Sequence, residues 1–244
     1  MNGYEITHTV NISSENFQKA KQSKTFIDWQ NRIEYNNTIK VNKIEIHDVD
    51  MFGPNVGFIK FNADVENLKG KKLPGIVFMR SPAVAVLVIL IGPNGNRWVV
   101  GVRQPRVPVA ISDYLEIPAG MMDNESNFVG VAAKELREEV GIDIKSNELI
   151  DLCSEVSKNT GSGPDIDIGP SVGGCNETIK LFLCVKHVTK EFVDSLNKKI
   201  IENNEHNTWE TITVELIEYD SAWIKFKDVK ALCALMYAEK LKLI

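Results

Sequence analysis

The stretch Gly120–Ile142, GMMDNESNFVGVAAKELREEVGI, constrains the fold more than any other part of the chain. Its spacing predicts a helix from Asn127 to Val140. Asn124 or Ser126 would cap its start, and Gly141 suits the left-handed position just past its end. Phe128, Val131, Ala132, Leu136 and Val140 recur at helical steps, so they form a stripe that must be buried. Glu135, Glu138 and Glu139 crowd another face. Like charges one turn apart cost about 0.2–0.5 kcal/mol. Negative charge in the last helical turn costs about 0.3–1 kcal/mol more per residue. Lys134 and Arg137 offset only part of this. A hard divalent cation reverses the sign, because Mg²⁺ takes carboxylate oxygens and keeps several waters. The alternative is a solvated helix face of mixed charge.

The remaining elements supply what that stripe packs against. Residues 4–10 alternate weakly as a strand. Ser13 or Ser14 opens a helix with Phe17, Ala20 and the Phe26–Trp29 stretch inside. Ile39–Val49 contains a strand, Gly53 and Pro54 turn the chain, and Gly57–Val65 alternates as the next strand. A basic turn, LKGKKLPG, leads to the strand IVFMR. Ala83–Ile91 is a buried strand by its β-branched content, and RWVVGVRQ returns as its hairpin partner after GPNGN. Tyr114–Ile117 is short and extended, and Glu148–Glu155 reads as a strand. The segment 156–177 is a long Gly-, Pro- and Ser-rich loop, which inside a compact domain is functional or disordered. Thr178–Val188 is a strand, Lys190–Ile201 a surface helix and Thr211–Ile217 a strand. A final helix over Ser221–Leu243 is expected to bury Trp223, Val229, Leu232, Cys233, Met236 and Leu241. Strands and helices mix without strict alternation, so the fold class is α+β with a mixed sheet. The expected division is an N-terminal sheet-and-helix subdomain over 1–76 and a main domain over 77–244.

The chain has 244 residues, enough for one large domain or a domain with a smaller companion. A net charge of −5 carries no electrostatic footprint for nucleic acid. The apolar run Ala83–Ile91 is too short to span a bilayer. The N-terminus lacks a basic region followed by an apolar core, so no secretory signal is expected. The four cysteines, Cys153, Cys175, Cys184 and Cys233, form no CxxC pair, which points to free thiols in a reducing, cytoplasmic setting.

The context of the acidic helix suggests its chemistry. Arg103 and Arg106 come where a strand ends, and a guanidinium grips anionic oxygens in a forked way. The PAG turn at 118–120 can offer a backbone carbonyl as an oxygen ligand. The 156–177 loop carries Asp165, Asp167 and Glu177, and is expected to close over a substrate and supply a base. Carboxylates, cations and a closing loop fit metal-assisted hydrolysis of a phosphoanhydride, in which ions neutralise developing charge and activate a water. Cys175 has no histidine nearby in sequence to activate it as a nucleophile.

The same stretch resembles the Nudix box, G-x5-E-x7-R-E-U-x-E-E-x-G-U, with U a bulky apolar residue. Gly120, Glu135, Leu136, Glu138, Glu139, Gly141 and Ile142 fall in register. The first glutamate of the pattern falls on Ser126, with Glu125 one place early, and the arginine falls on Lys134. GIVFMRSPAVAVLVIL, VRQPRVPV, YLEIPAGMMD and PSVGGCNE extend the resemblance to the ADP-sugar and nucleoside-diphosphate-sugar pyrophosphatases, most of all the plant-type ADP-glucose and UDP-glucose branch. It covers about residues 50–240. It implies a Nudix α/β/α sandwich, an N-terminal β-rich subdomain that helps form a homodimer, and Mg²⁺ or Mn²⁺. The implied reaction splits a nucleoside diphosphate sugar into a nucleoside monophosphate and a sugar phosphate.

By the same resemblance, Glu135 and Glu139 match the principal metal ligands and Glu138 the third acidic position. The Ala119 carbonyl matches a backbone ligand. Glu116 and Arg106 match positions that shape the metal and phosphate site, and Arg80 matches a substrate-side arginine. Glu177 matches a loop general base. Two other readings stay open: ADP-ribose hydrolysis with glucose conjugates as poor substrates, and a Nudix-fold sensor of weak turnover, motivated by Ser126 and Lys134. Neither the preferred base nor the preferred sugar follows from the residues.

Overall fold

A computed structural model of the chain describes residues 4–122, 127–161, 167–203 and 210–244. It divides into two compact units, 1–82 with 171–178, and 83–170 with 179–244. The expected boundary after residue 76 falls inside the strand Ile76–Arg80, and the two compact units part after Pro82.

The first unit contains β1 (Glu5–His8), α1 (Ser14–Gln22), α2 (Lys24–Asn36), β2 (Ile39–Phe52), β3 (Asn55–Asn67), β4 (Lys72–Leu73) and β5 (Ile76–Arg80). Two helices replace the one expected near its start. The Ser13 hydroxyl caps α1, and Ser23 ends α1 while its hydroxyl accepts from the Phe26 N–H to start α2. The sheet runs β1-β2-β3-β4, with β5 also paired to β3. Phe17, Ala20 and Phe26 pack with Ile44, Ile46, Ile59 and Phe61, so the helices cover one face of the sheet. The segment 171–178 belongs to this unit: the Phe78 N–H donates to the Gly174 carbonyl at 2.8 Å.

The second unit contains β6 (Ala83–Ile91), β7 (Arg97–Arg106), β8 (Ile111–Glu116), β9 (Ala119–Met121), α3 (Phe128–Glu135), β10 (Ile150–Asp151), α4 (Leu152–Thr160), β11 (Ile179–His187), α5 (Lys190–Leu196), β12 (Ile200–Asn203), β13 (Glu210–Glu218), α6 (Tyr219–Lys225) and α7 (Val229–Lys240). Its sheet runs β10-β11-β6-β7-β13-β12, with β8 on β7 and β9 on β6. β11 and β6 are parallel and their other neighbours antiparallel, so the sheet is mixed. The alternation of β6 explains the layering. Ala83, Ala85, Leu87 and Ile89 face a core shared with α4, α6 and α7. Val84, Val86, Val88 and Leu90 face one shared with α3 and α5. Helices on both faces require a strand apolar on both sides, and β6 is one. The result is the expected α/β/α sandwich.

Three segments differ from expectation. Glu148–Glu155 is mostly helical, because Asp151 Oδ1 accepts the Ser154 N–H at 2.9 Å and starts α4 after two strand residues. The helix expected over Lys190–Ile201 stops at Leu196 and the chain re-enters the sheet as β12. The C-terminal helix is two helices, because Asp228 caps α7. Ala231, Ala234, Leu235 and Ala238 are the buried face of α7, whereas Trp223, Val229, Leu232 and Met236 are exposed. Small residues let α7 lie close to the sheet, which a stripe of large apolar side chains would not allow. All four cysteines are free, and no described helix is long and apolar enough to cross a membrane.

Candidate active site

In the second unit the acidic helix, the PAG turn and the end of β7 come together. Asn127, rather than Asn124 or Ser126, caps α3: its Oδ1 accepts the Gly130 N–H at 3.0 Å. Asn124, Glu125, Ser126 and the loop residue Asp165 lie outside the described residues. Val131, Ala132, Leu136 and Val140 are buried as the stripe requires. The α-helix ends at Glu135, and Leu136–Val140 form one π turn closed by Gly141 at φ +74°. The wider turn shifts the phase of the last residues, and such turns occur often at functional sites. Here it carries Glu139 into the interior.

Glu139 is 8% exposed. Its Oε2 accepts the Ala119 N–H at 3.0 Å, and its Oε1 accepts from Gln104 Nε2 at 3.3 Å. Burial, and then the neighbouring Glu135 carboxylate, push its pKa up to about 8. Glu135 lies against Gly120. A Cβ there would come within 2.0 Å of the Glu135 carboxyl carbon, so a side chain at position 120 would displace that carboxylate from the turn. A cavity of about 340 Å³ opens beside it, lined by Met121, Met122, Asn127, Gly130, Val131, Lys134 and Glu135. Glu138 is partly buried, with Lys134 Nζ 3.7 Å from its Oε2.

Arg106 and Glu116 form a second cluster. Arg106 Nε donates to Glu116 Oε1 at 2.6 Å. Lys230 Nζ donates to Glu116 Oε2 at 2.6 Å and lies 3.0 Å from Asp228 Oδ2. Arg103 stands apart. By strand alternation it points away from its neighbour Gln104, and it is engaged with Glu215 and with the Asp113 carbonyl and carboxylate. Glu215 outweighs burial and raises the Arg103 pKa.

Arg80 and Glu177 meet within the first unit. Arg80 Nε lies 3.4 Å from Glu177 Oε1, and the guanidinium sits 5.7 Å from the centre of the Phe58 ring. Asn176 fastens the pair: its Oδ1 accepts the Arg80 N–H at 2.8 Å and its Nδ2 donates to the Arg80 carbonyl at 3.2 Å. Asp167 lies beside Ile168, which is bridged to Ile179 in the second unit.

Gln104, Asn176, Asp228 and Lys230 are not among the residues that the sequence singles out. Only Gln104 left a signal, since it shares strand parity with the buried Val100 and Val102. The others act across 96 to 114 residues of chain.

The donor chemistry suits a hard divalent cation. The candidate ligands are oxygens, two carboxylates repel each other, and the glycine cradle admits one of them. Among the described residues, no three His, Cys, Asp or Glu side chains converge as a ready-made cation cage. Glu139 would have to exchange its present hydrogen bonds for a ligand.

The model of the NUDIX domain matches residues 81–233. The chain is 39% identical over 238 residues to Nudix hydrolase 14, chloroplastic, of Arabidopsis thaliana, covering 94% of this chain and 74% of the relative. The chain belongs to the Nudix family. Its second unit holds nearly the whole Nudix domain, with the box glutamates on α3 and the π turn. Membership supports a hydrolase acting on the pyrophosphate of a nucleoside diphosphate derivative, in a family that generally uses a divalent metal such as Mg²⁺.

Proposed function

We propose that the protein hydrolyses a nucleoside diphosphate sugar of the ADP-glucose, UDP-glucose or ADP-ribose type, releasing a nucleoside monophosphate and a sugar phosphate, with Mg²⁺ or Mn²⁺. The observation that carries the metal-dependent part is Glu139, a buried carboxylate facing another carboxylate with no cation of the protein against it among the described residues. Glu135 and Glu139 would hold the ion, with Glu138 and the Ala119 carbonyl completing the set. When bound, the cation neutralises charge on the pyrophosphate oxygens. The sugar-nucleotide part rests on the motifs around the box.

The chain's own residues do the rest. The Arg106 guanidinium, held through Nε by Glu116, offers its terminal nitrogens to phosphate oxygens. Arg80 is a substrate-side cation. Glu177 takes a proton from the attacking water, whose oxygen bonds to phosphorus as the bridging P–O bond breaks. The roles of Glu177 and Arg80 rest on the PSVGGCNE and IVFMR motifs and on the pairing of the two residues with each other. We place the N-terminal unit in a homodimer on the same resemblance.

A second reading is a nucleotide-sugar binder of weak turnover. It is favoured by Lys134, which is 54% exposed at its side chain and reaches Glu138 only at 3.7 Å. An ammonium lacks the fork that holds two carboxylates together. Product release from ADP-ribose, ADP-glucose, UDP-glucose and GDP-mannose, with Mg²⁺ and Mn²⁺, decides between them. Turnover of at least one sugar nucleotide supports the enzyme, turnover of ADP-ribose alone narrows it, and tight binding without turnover supports the binder.

A further inference from the structure

The Arg106–Glu116 pair has a third member from the far end of the chain. Lys230, in the first turn of α7, is 8% exposed, and Asp228 beside it 5%. Asp228 uses Oδ1 for the Lys230 N–H at 3.2 Å and Oδ2 for the Ile117 N–H at 3.4 Å. The start of α7 is thereby fastened to the chain just after β8, and Lys230 Nζ is aimed at Glu116. Burying an ammonium is costly, and the other buried positions of α7 are Ala231, Ala234, Leu235 and Ala238. Burial works against the charge of Lys230, but Asp228 and Glu116 outweigh it and hold the pKa above the usual lysine value.

The two oxygens of Glu116 are divided between two cations. Lys230 takes Oε2, and Arg106 reaches Oε1 through Nε. A carboxylate with both oxygens open pairs with arginine in the forked, two-bond manner, which engages a terminal nitrogen as well. Here the terminal nitrogens of Arg106 have no protein partner among the described residues, and its side chain is 38% exposed.

We propose that Lys230 is a positioning residue for hydrolysis: by occupying Glu116 Oε2 it prevents a two-bond Arg106–Glu116 pair and leaves the terminal guanidinium nitrogens for the substrate's pyrophosphate. This rests on the proposed role of Arg106 in binding phosphate.

The test is a double-mutant cycle on the panel substrate that the wild type cleaves fastest, with kcat, KM and the urea midpoint measured for each protein. Lys230→Met is expected to lower kcat/KM about 30-fold, and in an Arg106→Ala background by no more than about threefold, because Lys230 acts through Arg106. Lys230→Arg, which can still occupy Oε2, should restore most of the loss. If Lys230→Met does not fold, Lys230→Gln, which stays polar but is one bond too short to hold Oε2, enters the same cycle with the same expected losses. Equal losses with and without Arg106, or no rescue by arginine in a folded protein, overturn the role of Lys230 while leaving the enzyme reading intact. A folded wild type that neither cleaves nor binds any panel member removes both.

Discussion

Glu116 and Glu139 are buried almost equally in the same unit, at 4% and 8% exposure, yet their surroundings differ in kind. Glu116 meets two cations, each at 2.6 Å. Among the described residues, Glu139 meets only neutral donors, the Ala119 N–H and the Gln104 amide, and faces a second carboxylate. A buried pair is costly to break, at about 3–5 kcal/mol when one partner is removed, so the Glu116 cluster is built to stay as it is. Glu139 has no such compensation among the described residues and is the group a cation from outside would satisfy. The difference separates a part of the site that the chain completes by itself from a part that it leaves for a ligand.

The first way to break that comparison is to remove the charge of Glu139. Glu139→Gln should lower metal-dependent turnover about 1000-fold or more, with the fold intact by circular dichroism, since the cation accounts for several kcal/mol of transition-state stabilisation. Residual activity within tenfold of wild type would show that the carboxylate is dispensable. Glu177→Gln should cost about 100-fold in kcat with little change in KM, the magnitude expected of a general base. A loss confined to KM would make Glu177 a binding residue instead. Arg106→Ala should cost about 100-fold in kcat/KM, the effect of removing one fixed donor to a developing anion. Lys134→Arg sharpens the comparison from the other side. A forked donor beside Glu138 should tighten Mn²⁺ binding roughly threefold, and unchanged affinity and rate would dismiss the looser ligand arrangement.

Much of this arrangement was legible in the sequence because it is local. The stripe on α3, the glutamates beside it and Gly141 follow from spacing along one short stretch of chain. The doubly apolar Ala83–Ile91 strand required layers on both sides. What was not legible depends on distant partners or on a local competitor to the pattern. Lys230 reaches Glu116 across 114 residues, and Gln104 reaches Glu139 across 35. The π turn that buries Glu139 has no distinct residue signature. Asp151 and Asp228 start helices where apolar periodicity suggested a strand in one case and a continuous helix in the other. The packing face of α7 departs from the apolar pattern because alanines and Leu235, rather than Leu232 and Met236, lie against the sheet, with Cys233 and Leu241 partly buried beside them.

Thermal unfolding of metal-free wild type and Glu139→Gln across pH 5 to 9, repeated with Mg²⁺, tests the contrast between the two glutamates most directly. The folded pKa of Glu139, about 8, lies above the ordinary 4.5. Between those values the folded protein binds more protons than the unfolded chain, so stability falls as pH rises through this window. The account predicts that metal-free wild type loses stability toward pH 9 and regains it with Mg²⁺. It predicts that Glu139→Gln is the more stable protein at pH 9 without metal and gains little from Mg²⁺. An equal decline with pH in both proteins, or an equal gain from Mg²⁺, would contradict it.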